Sequence, residues 1–245
     1  MHLCLIKMKE EYNFRKGEVL LVDKPLGWTS FDVVNKLRYP LKRKYGIKRL
    51  KVGHAGTLDP LATGLLVICT GRKTKEINTF INDTKVYTGV IKLGATTPSY
   101  DLETEIDVTY PVEHITTELV EKVRLQFLGE IEQTPPIYSA KKVNGKRAYE
   151  SARKGVDIKM KASTIFIHDL NLELKENNEI HFYVKSSKGT YIRSLAYDIG
   201  KALNTGGHLT KLRREASGEF KIENALSVET WQKIIQESKV GDMIL

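Results

Sequence analysis

Asp59 stands where this chain has most to offer chemically. It lies in the stretch from Gly53 to Arg72, GHAGTLDPLATGLLVICTGR. Glycines at 53, 56 and 64 let the backbone bend tightly. Pro60 pushes Asp59 out of helical geometry into an extended or turn conformation. The run LLVIC, Leu65 to Cys69, is short, branched and free of charge, as a strand buried on both faces would be. The carboxylate is therefore held on a stiff loop against a core, a position suited to a nucleophile or a base. Asp-Pro is also a common turn starter, so the dipeptide alone admits a purely structural reading.

Other side chains could serve such a carboxylate. Arg193 falls in the first turn of a helix expected from about Tyr191, an electrostatically poor place for a cation. It implies an anionic partner, with Asp59 the obvious candidate; the alternative is a plain surface arginine. Lys24, in the turn DKPLGWTS, either compensates local negative charge or is exposed. Tyr87, within the expected strand KVYTGVIKLG, is a core or cross-strand tyrosine, or a functional one. His54 precedes Asp59 by five residues.

Electrostatics point to a polyanionic partner. The net charge is +9, the pI near 9.3 and the mean hydropathy −0.31. Lys36, Arg38, Lys42, Arg43, Lys44, Lys48, Arg49 and Lys51 follow one another with no intervening acid and lead into the Gly53 loop. A run abutting the candidate acid favours phosphate contacts over a merely solvated face. A second basic stretch, Ile131 to Gly155, interleaves Lys and Arg with Tyr138 and Tyr149, a mixture suited to stacking on bases and gripping phosphates. Cys4 and Cys69 form no metal spacing or disulfide framework, and the six histidines do not cluster. No metal or cofactor is expected; TGRKT at residues 70–74 lacks P-loop spacing and reads as a strand end. No apolar segment is long enough for a membrane span, and MHLCLIK is too short for a signal peptide. A cytoplasmic monomer is expected, with Met8 an alternative start to Met1.

The elements follow from periodicity. Residues 1–17 read as a loose polar tail and 18–22 as a strand. A helix capped by Thr29 or Ser30 has Phe31, Val33, Val34 and Leu37 inward and breaks at Pro40. A strand is expected near Ile106 to Val108. A second helix, capped by Thr116 or Thr117, turns Leu119, Val120, Val123, Phe127 and Leu128 inward and ends at Gly129. Pro135-Pro136 and Asn144-Gly145 mark turns. Residues 162–174 and 180–186 are strands, and Ser227 caps a last helix, about 227–238, with Val228, Trp231, Ile234 and Ile235 on one face. One domain, 18–245, is expected, of the α+β class.

HAGTLDPLATGLL resembles the catalytic motif of the TruB family of tRNA pseudouridine synthases, whose GTLDP aspartate is the nucleophile. DKPLGWTS, the K-x-Y strand, KGTYIR and GGHLTKLRREASGEF resemble further family motifs in order, so the likeness covers about Glu18 to Phe220. It implies a mixed, mainly antiparallel sheet flanked by helices, with an active-site cleft across its middle. PPIYSAKKVNGKRAYESAR resembles an RNA-clamping thumb, about 131–155, in which Lys142 and Arg153 are the best-matched cations. Many relatives continue into a PUA-type RNA-binding domain, which is not expected here in full. The usual Cys two residues before Lys188 is Ser186.

The implied reaction converts uridine to pseudouridine at position 55 of the tRNA T-loop. It breaks the C1′–N1 bond, rotates the base and joins C5 to C1′, with no redox step. A carboxylate serves by adding to C6, by attacking C1′ or by taking the C2′ proton. The resemblance implies Asp59 as nucleophile or base and Arg193 as its partner. Tyr87 stacks on the extruded base and helps remove the C5 proton. Tyr191 and Leu212 wall the pocket, Lys24 supports the loop, and His54 fills the gap in the RNA stack or contacts the flipped nucleotide. A non-catalytic tRNA-folding chaperone is the alternative. An unrelated aspartate-nucleophile phosphatase would need a second acid and metal spacing, and an RNA-guided synthase would need the further C-terminal domain.

Overall fold

A computed structural model describes residues 11–139, 141–143, 145–149 and 159–238 of the chain. Strand β1 (Val19–Lys24) buries Leu20, Val22 and, unusually, Lys24 on one face. Helix α1 (Ser30–Tyr45) opens with a capping box: Thr29 Oγ1 accepts from the Asp32 amide while the Asp32 carboxylate accepts from the Thr29 amide. Val33, Val34 and Leu37 point inward as expected. Phe31 does not; it is 57% exposed, with the Arg38 guanidinium 5.5 Å from its ring centre. Nor does Pro40 break the helix, which runs on to Tyr45 and ends at a left-handed Gly46. Only the exposed Lys36 carbonyl loses its helical donor, and burial of Leu37 and Leu41 on the opposite face outweighs that loss.

Next come β2 (Val52–His54) and β3 (Ala62–Thr70), in which every residue except Thr63 is buried. A 3-10 turn, Gly71–Glu76, follows where the sequence suggested the end of a strand. Helix α2 (Ile77–Ile81), β4 (Lys85–Leu93) and the paired β5 (Ala95–Thr96) and β6 (Val108–Thr109) lead to α3 (Thr117–Gln126). Thr116 caps α3, which buries Val120 and Val123 and stops at Phe127, short of Gly129. Gly129 instead opens β7 (Gly129–Gln133). The hairpin β8 (Lys142–Val143) and β9 (Lys146–Arg147) turns at Gly145, then β10 (Ser163–Lys175) and β11 (Glu179–Ser186) pair. Helix α4 (Ile192–Ala202), β12 (Gly207–Ser217), β13 (Phe220–Lys221), β14 (Leu226–Ser227) and α5 (Val228–Glu237) complete the order. Ser227 caps α5, and its four expected inward residues are all buried.

The chain divides into two compact units, with the boundaries after Asp83 and after Leu212. In the first, the strand order is β14-β1-β3-β12, with β2 beside β3 and β13 beside β12. In the second it is β12-β4-β11-β10-β7, so β12 gives residues 207–212 to the second unit and 213–217 to the first. Ladder β1–β14 is parallel; β1–β3, β2–β3, β12–β13, β4–β11, β10–β11 and β7–β10 are antiparallel. The α+β, mainly antiparallel expectation therefore holds. In the first unit Ala55, Leu65 and Val67 form a core beneath Val19, Leu21, Ile77, Phe80 and Phe220.

The expected loose tail is corrected for residues 12–17. Phe14 is fully buried and stacks on Tyr12, which meets Trp231 edge-on at 5.6 Å. Two aromatics among polar neighbours carry no strand or helix period, which is why the pattern hid them. Met1, Cys4 and Met8 lie outside the described residues.

Gly56 and Gly64 hold φ near +94° and +101°, as the bending motif required, whereas Gly53 sits within β2. A Cβ on Gly64 would lie 2.4 Å from the Arg214 carbonyl oxygen; on Gly56 the nearest atom is 3.5 Å away. Gly56→Ala should lower unfolding free energy by about 1–2 kcal/mol, the conformational penalty alone. Gly64→Ala should cost at least twice that, since backbone must also move. Equal losses in denaturant titrations would contradict the packing described for β3.

Candidate active site

In the first unit, the loop between β2 and β3 is pinned on both sides of Asp59. Ser30 Oγ accepts from the Leu58 amide at 2.8 Å and donates to the Leu58 carbonyl at 3.1 Å. The Pro60 carbonyl accepts from the Gly27 amide at 2.9 Å, and the Asp59 carbonyl from the Ala62 amide at 3.1 Å. Asp59 itself is half-buried.

Lys24 holds this loop from beneath. The side chain is fully buried, and Nζ donates to the carbonyls of Trp28 (2.6 Å), Pro25 (2.9 Å) and Pro60 (3.4 Å). Three ammonium protons thus meet three carbonyls. Burial pushes its pKa down to about 8 against the attraction of Asp59, with Arg214 adding to the depression. Of the two readings of Lys24, the exposed one is excluded. Arg214 is 1% exposed and donates to the carbonyls of Leu65 (2.6 Å) and Gly56 (3.2 Å). His54, at the end of β2, has its pKa held below the usual 6.5 by burial and by Arg214, with a Gly56 backbone hydrogen bond opposing. Its Nδ1 is buried with no hydrogen-bond partner among the described residues.

In the second unit, Arg193 occupies the first turn of α4 and is 4% exposed. It donates to the carbonyls of Ser99 (3.0 Å) and Tyr138 (2.9 Å), and its Nε lies 3.7 Å from the Asp101 carboxylate. Asp101 accepts from Ser99 Oγ at 2.6 Å and from the Glu103 amide at 3.0 Å. The surface-arginine reading is excluded, and Asp101 supplies one anion that an arginine at this position requires. Sequence reasoning missed Asp101 and Ser99. It also missed Gln133, a buried amide that donates to the Tyr191 carbonyl (3.1 Å) and accepts from its N–H (2.8 Å), fixing the N-cap of α4.

Tyr87 is 8% exposed on β4, opposite Val184 of β11, and Leu212 is the half-buried last residue of this unit. Lys142 lies in β8, but its side chain falls outside the described residues, as does Arg153 entirely. The structure therefore gathers Lys24, His54 and Asp59 in one unit, and carries Tyr87, Tyr191, Arg193 and Leu212 in the other.

The basic run is partly structural. Lys44 Nζ donates to the carbonyls of Gln236 and Ser238 at the end of α5, and Arg38 donates to the Val52 carbonyl at 2.8 Å. Among the described residues, no helix is long and apolar enough to cross a membrane.

A family model described as TruB family pseudouridylate synthase (N terminal domain) matches residues 42–192. Another, described as tRNA pseudouridylate synthase B C-terminal domain, matches residues 193–245. Their junction precedes Arg193, inside α4. A protein of Phocaeicola vulgatus named tRNA pseudouridine synthase B is 56% identical, covering 95% of this chain and 99% of its own. One of the same name from Flavobacterium johnsoniae is 54% identical, covering 93% and 99%. The crystal structure of a Cbf5-Nop10-Gar1 complex contains a similar chain, with TM-score 0.67 at 25% identity. The alignment covers 94% of this chain and 61% of that one.

Two tests follow from the loop's support. Lys24→Met should remove the ammonium donor from the carbonyls of Pro25, Trp28 and Pro60, the last of which keeps the Gly27 amide, and lower stability by about 2–4 kcal/mol in denaturant titrations; a loss under 1 kcal/mol would contradict the anchoring role. His54 has a folded pKa below its unfolded value, so the unfolded chain binds more protons in the window just below pH 6.5. Its contribution is present above pH 6.5 and lost as pH falls through the depressed folded value. His54→Gln should flatten that part of the stability–pH curve, and identical curves would show that His54 is not held neutral by the fold.

Proposed function

The chain belongs to the TruB family of pseudouridylate synthases, and from that premise we propose that it isomerises the T-loop uridine of tRNA at position 55, with Asp59 as the nucleophile. Isomerising uridine to pseudouridine in tRNA is the family's activity. The observation that carries the residue assignment is the loop of Asp59, fixed on either side by Ser30 and Gly27 and undercut by the buried Lys24. Positional certainty of this kind is what an attacking carboxylate needs, since small misplacements cost large factors in rate.

The mechanism gives each residue a defined task. Asp59 attacks the reacting nucleotide once it has left the stack, a step costing a few kcal/mol of unstacking, least in a loop. Arg193 pairs with the Asp59 carboxylate through a charge-assisted hydrogen bond. Tyr87 stacks on the extruded base and helps remove the C5 proton as C5 joins C1′. Tyr191 and Leu212 wall the base off from water, and His54, a neutral imidazole at pH 7, contacts the displaced nucleotide. Lys142 and Arg153 grip RNA from the segment 131–155, and the +9 charge draws the polyanion in. The protein acts as a cytoplasmic monomer on the T-stem-loop.

The assignment of the target is tested with tRNA transcripts carrying tritium at uridine C5. One equivalent of tritium should be released per tRNA, and none from a transcript in which the T-loop uridine at 55 is replaced by cytidine. Undiminished release from the replaced transcript would overturn the T-loop assignment.

A further inference from the structure

Away from Asp59, the first unit contains a cavity of about 330 Å³ with an unusual lining. Arg15, Arg49, Lys51, Arg72 and Lys75 converge on it together with Thr74, and no acidic side chain lines it. All five cations are exposed, and none makes an ion pair or a side-chain hydrogen bond among the described residues. Glu76, next in sequence to Lys75, is already paired with Lys73 at 2.8 Å. Like charges brought together without a counter-charge repel one another, and an anion relieves that repulsion.

The walls are built rather than incidental. Three separate segments meet here through main-chain bonds: the Gly71 amide donates to the Lys51 carbonyl (2.9 Å), the Arg72 amide to Lys16 (3.0 Å) and the Thr70 amide to Glu18 (2.9 Å). Gly71, at φ +52°, is pressed so close to the Arg15 carbonyl that a Cβ would lie 2.3 Å from it. The cations therefore project from a fixed frame.

Position decides what the anion is. Strand β3 begins at Ala62, whose amide is bonded to Asp59, and ends at Thr70, whose next residues line the cavity. Eight strand steps from Ala62 to Thr70 span up to about 26 Å and separate the cavity from the Asp59 loop. A phosphate in the cavity is thus neither that of the reacting nucleotide nor one of its near neighbours.

We propose that this cavity is a second RNA-binding site, taking backbone phosphates of the tRNA outside the T-stem-loop. The inference rests on the tRNA reading above and adds to it a remote grip that orients the whole substrate. Neutralising the exposed ends leaves the main-chain frame intact and relieves their repulsion, so a variant combining R15Q, R49Q, K51Q, R72Q and K75Q should unfold at or above the wild-type denaturant midpoint.

The test compares wild type and this variant in binding to full-length tRNA transcript and to an isolated T-stem-loop hairpin across a salt series. The variant should bind full-length tRNA at least tenfold more weakly near 0.15 M salt, with the log–log salt slope reduced by about one to two. Its hairpin affinity should stay within about twofold of wild type. Unchanged affinity for full-length tRNA would overturn the proposal, and so would equal losses with both RNAs, because the cavity would then serve the T-stem-loop itself. Tritium release from the hairpin, measured alongside, judges the isomerase reading separately from the cavity.

Discussion

A lysine ammonium sealed inside the first unit governs the geometry around Asp59. Taking such a cation from water costs several kcal/mol, and the cost is recovered only if each proton finds an acceptor. Here the acceptors are the carbonyls of Pro25, Trp28 and Pro60, on the two turns that frame the candidate nucleophile. Lys24 cannot relax toward solvent without freeing both turns, nor can the turns move without stranding Lys24. Arg214 repeats the arrangement on the other side, tying the carbonyls of Gly56 and Leu65. The carboxylate is held by buried cations bonded to backbone, not by a network of side-chain acids.

The second unit uses the same device with an acid included. Arg193 is buried at the start of a helix, where the dipole disfavours it, and Asp101 and two carbonyls compensate. Gln133 locks the residue that caps the helix. In each unit, then, a buried cation has its hydrogen-bond partners met, a condition in which such groups rigidify rather than destabilise.

Much of this was legible in the chain because it obeyed simple periods. The uninterrupted apolar run of β3, the alternation along β4 and β11, and the caps at Thr29, Thr116 and Ser227 are local signals, and the structure follows them. The misses have physical causes too. Pro40 and Phe31 were misjudged because helix interiors tolerate a proline whose lost acceptor faces water, and because the apolar stripe of α1 did not need Phe31. Phe14 was hidden because its burial comes from tertiary contact with Tyr12 and Trp231, not from a pattern. The same holds at the site: Asp59 announced itself through glycines, proline and a family motif, and Arg193 through its misfit with the helix dipole. Gln133 and Arg214 are defined by partners tens of residues away, and Asp101 and Ser99 meet Arg193 from as far along the chain, which no local spacing reveals.

The central claim is that Asp59 performs the chemistry while the rest of the surface binds the RNA. It is tested most directly by comparing wild type with Asp59→Asn in tritium release from tRNA labelled at uridine C5, with tRNA affinity measured on the same preparations. The account predicts release by wild type, none by Asp59→Asn, and affinities within a few-fold of each other. Release by Asp59→Asn at a rate comparable to wild type would contradict it, since the carboxylate would then have no part in the reaction.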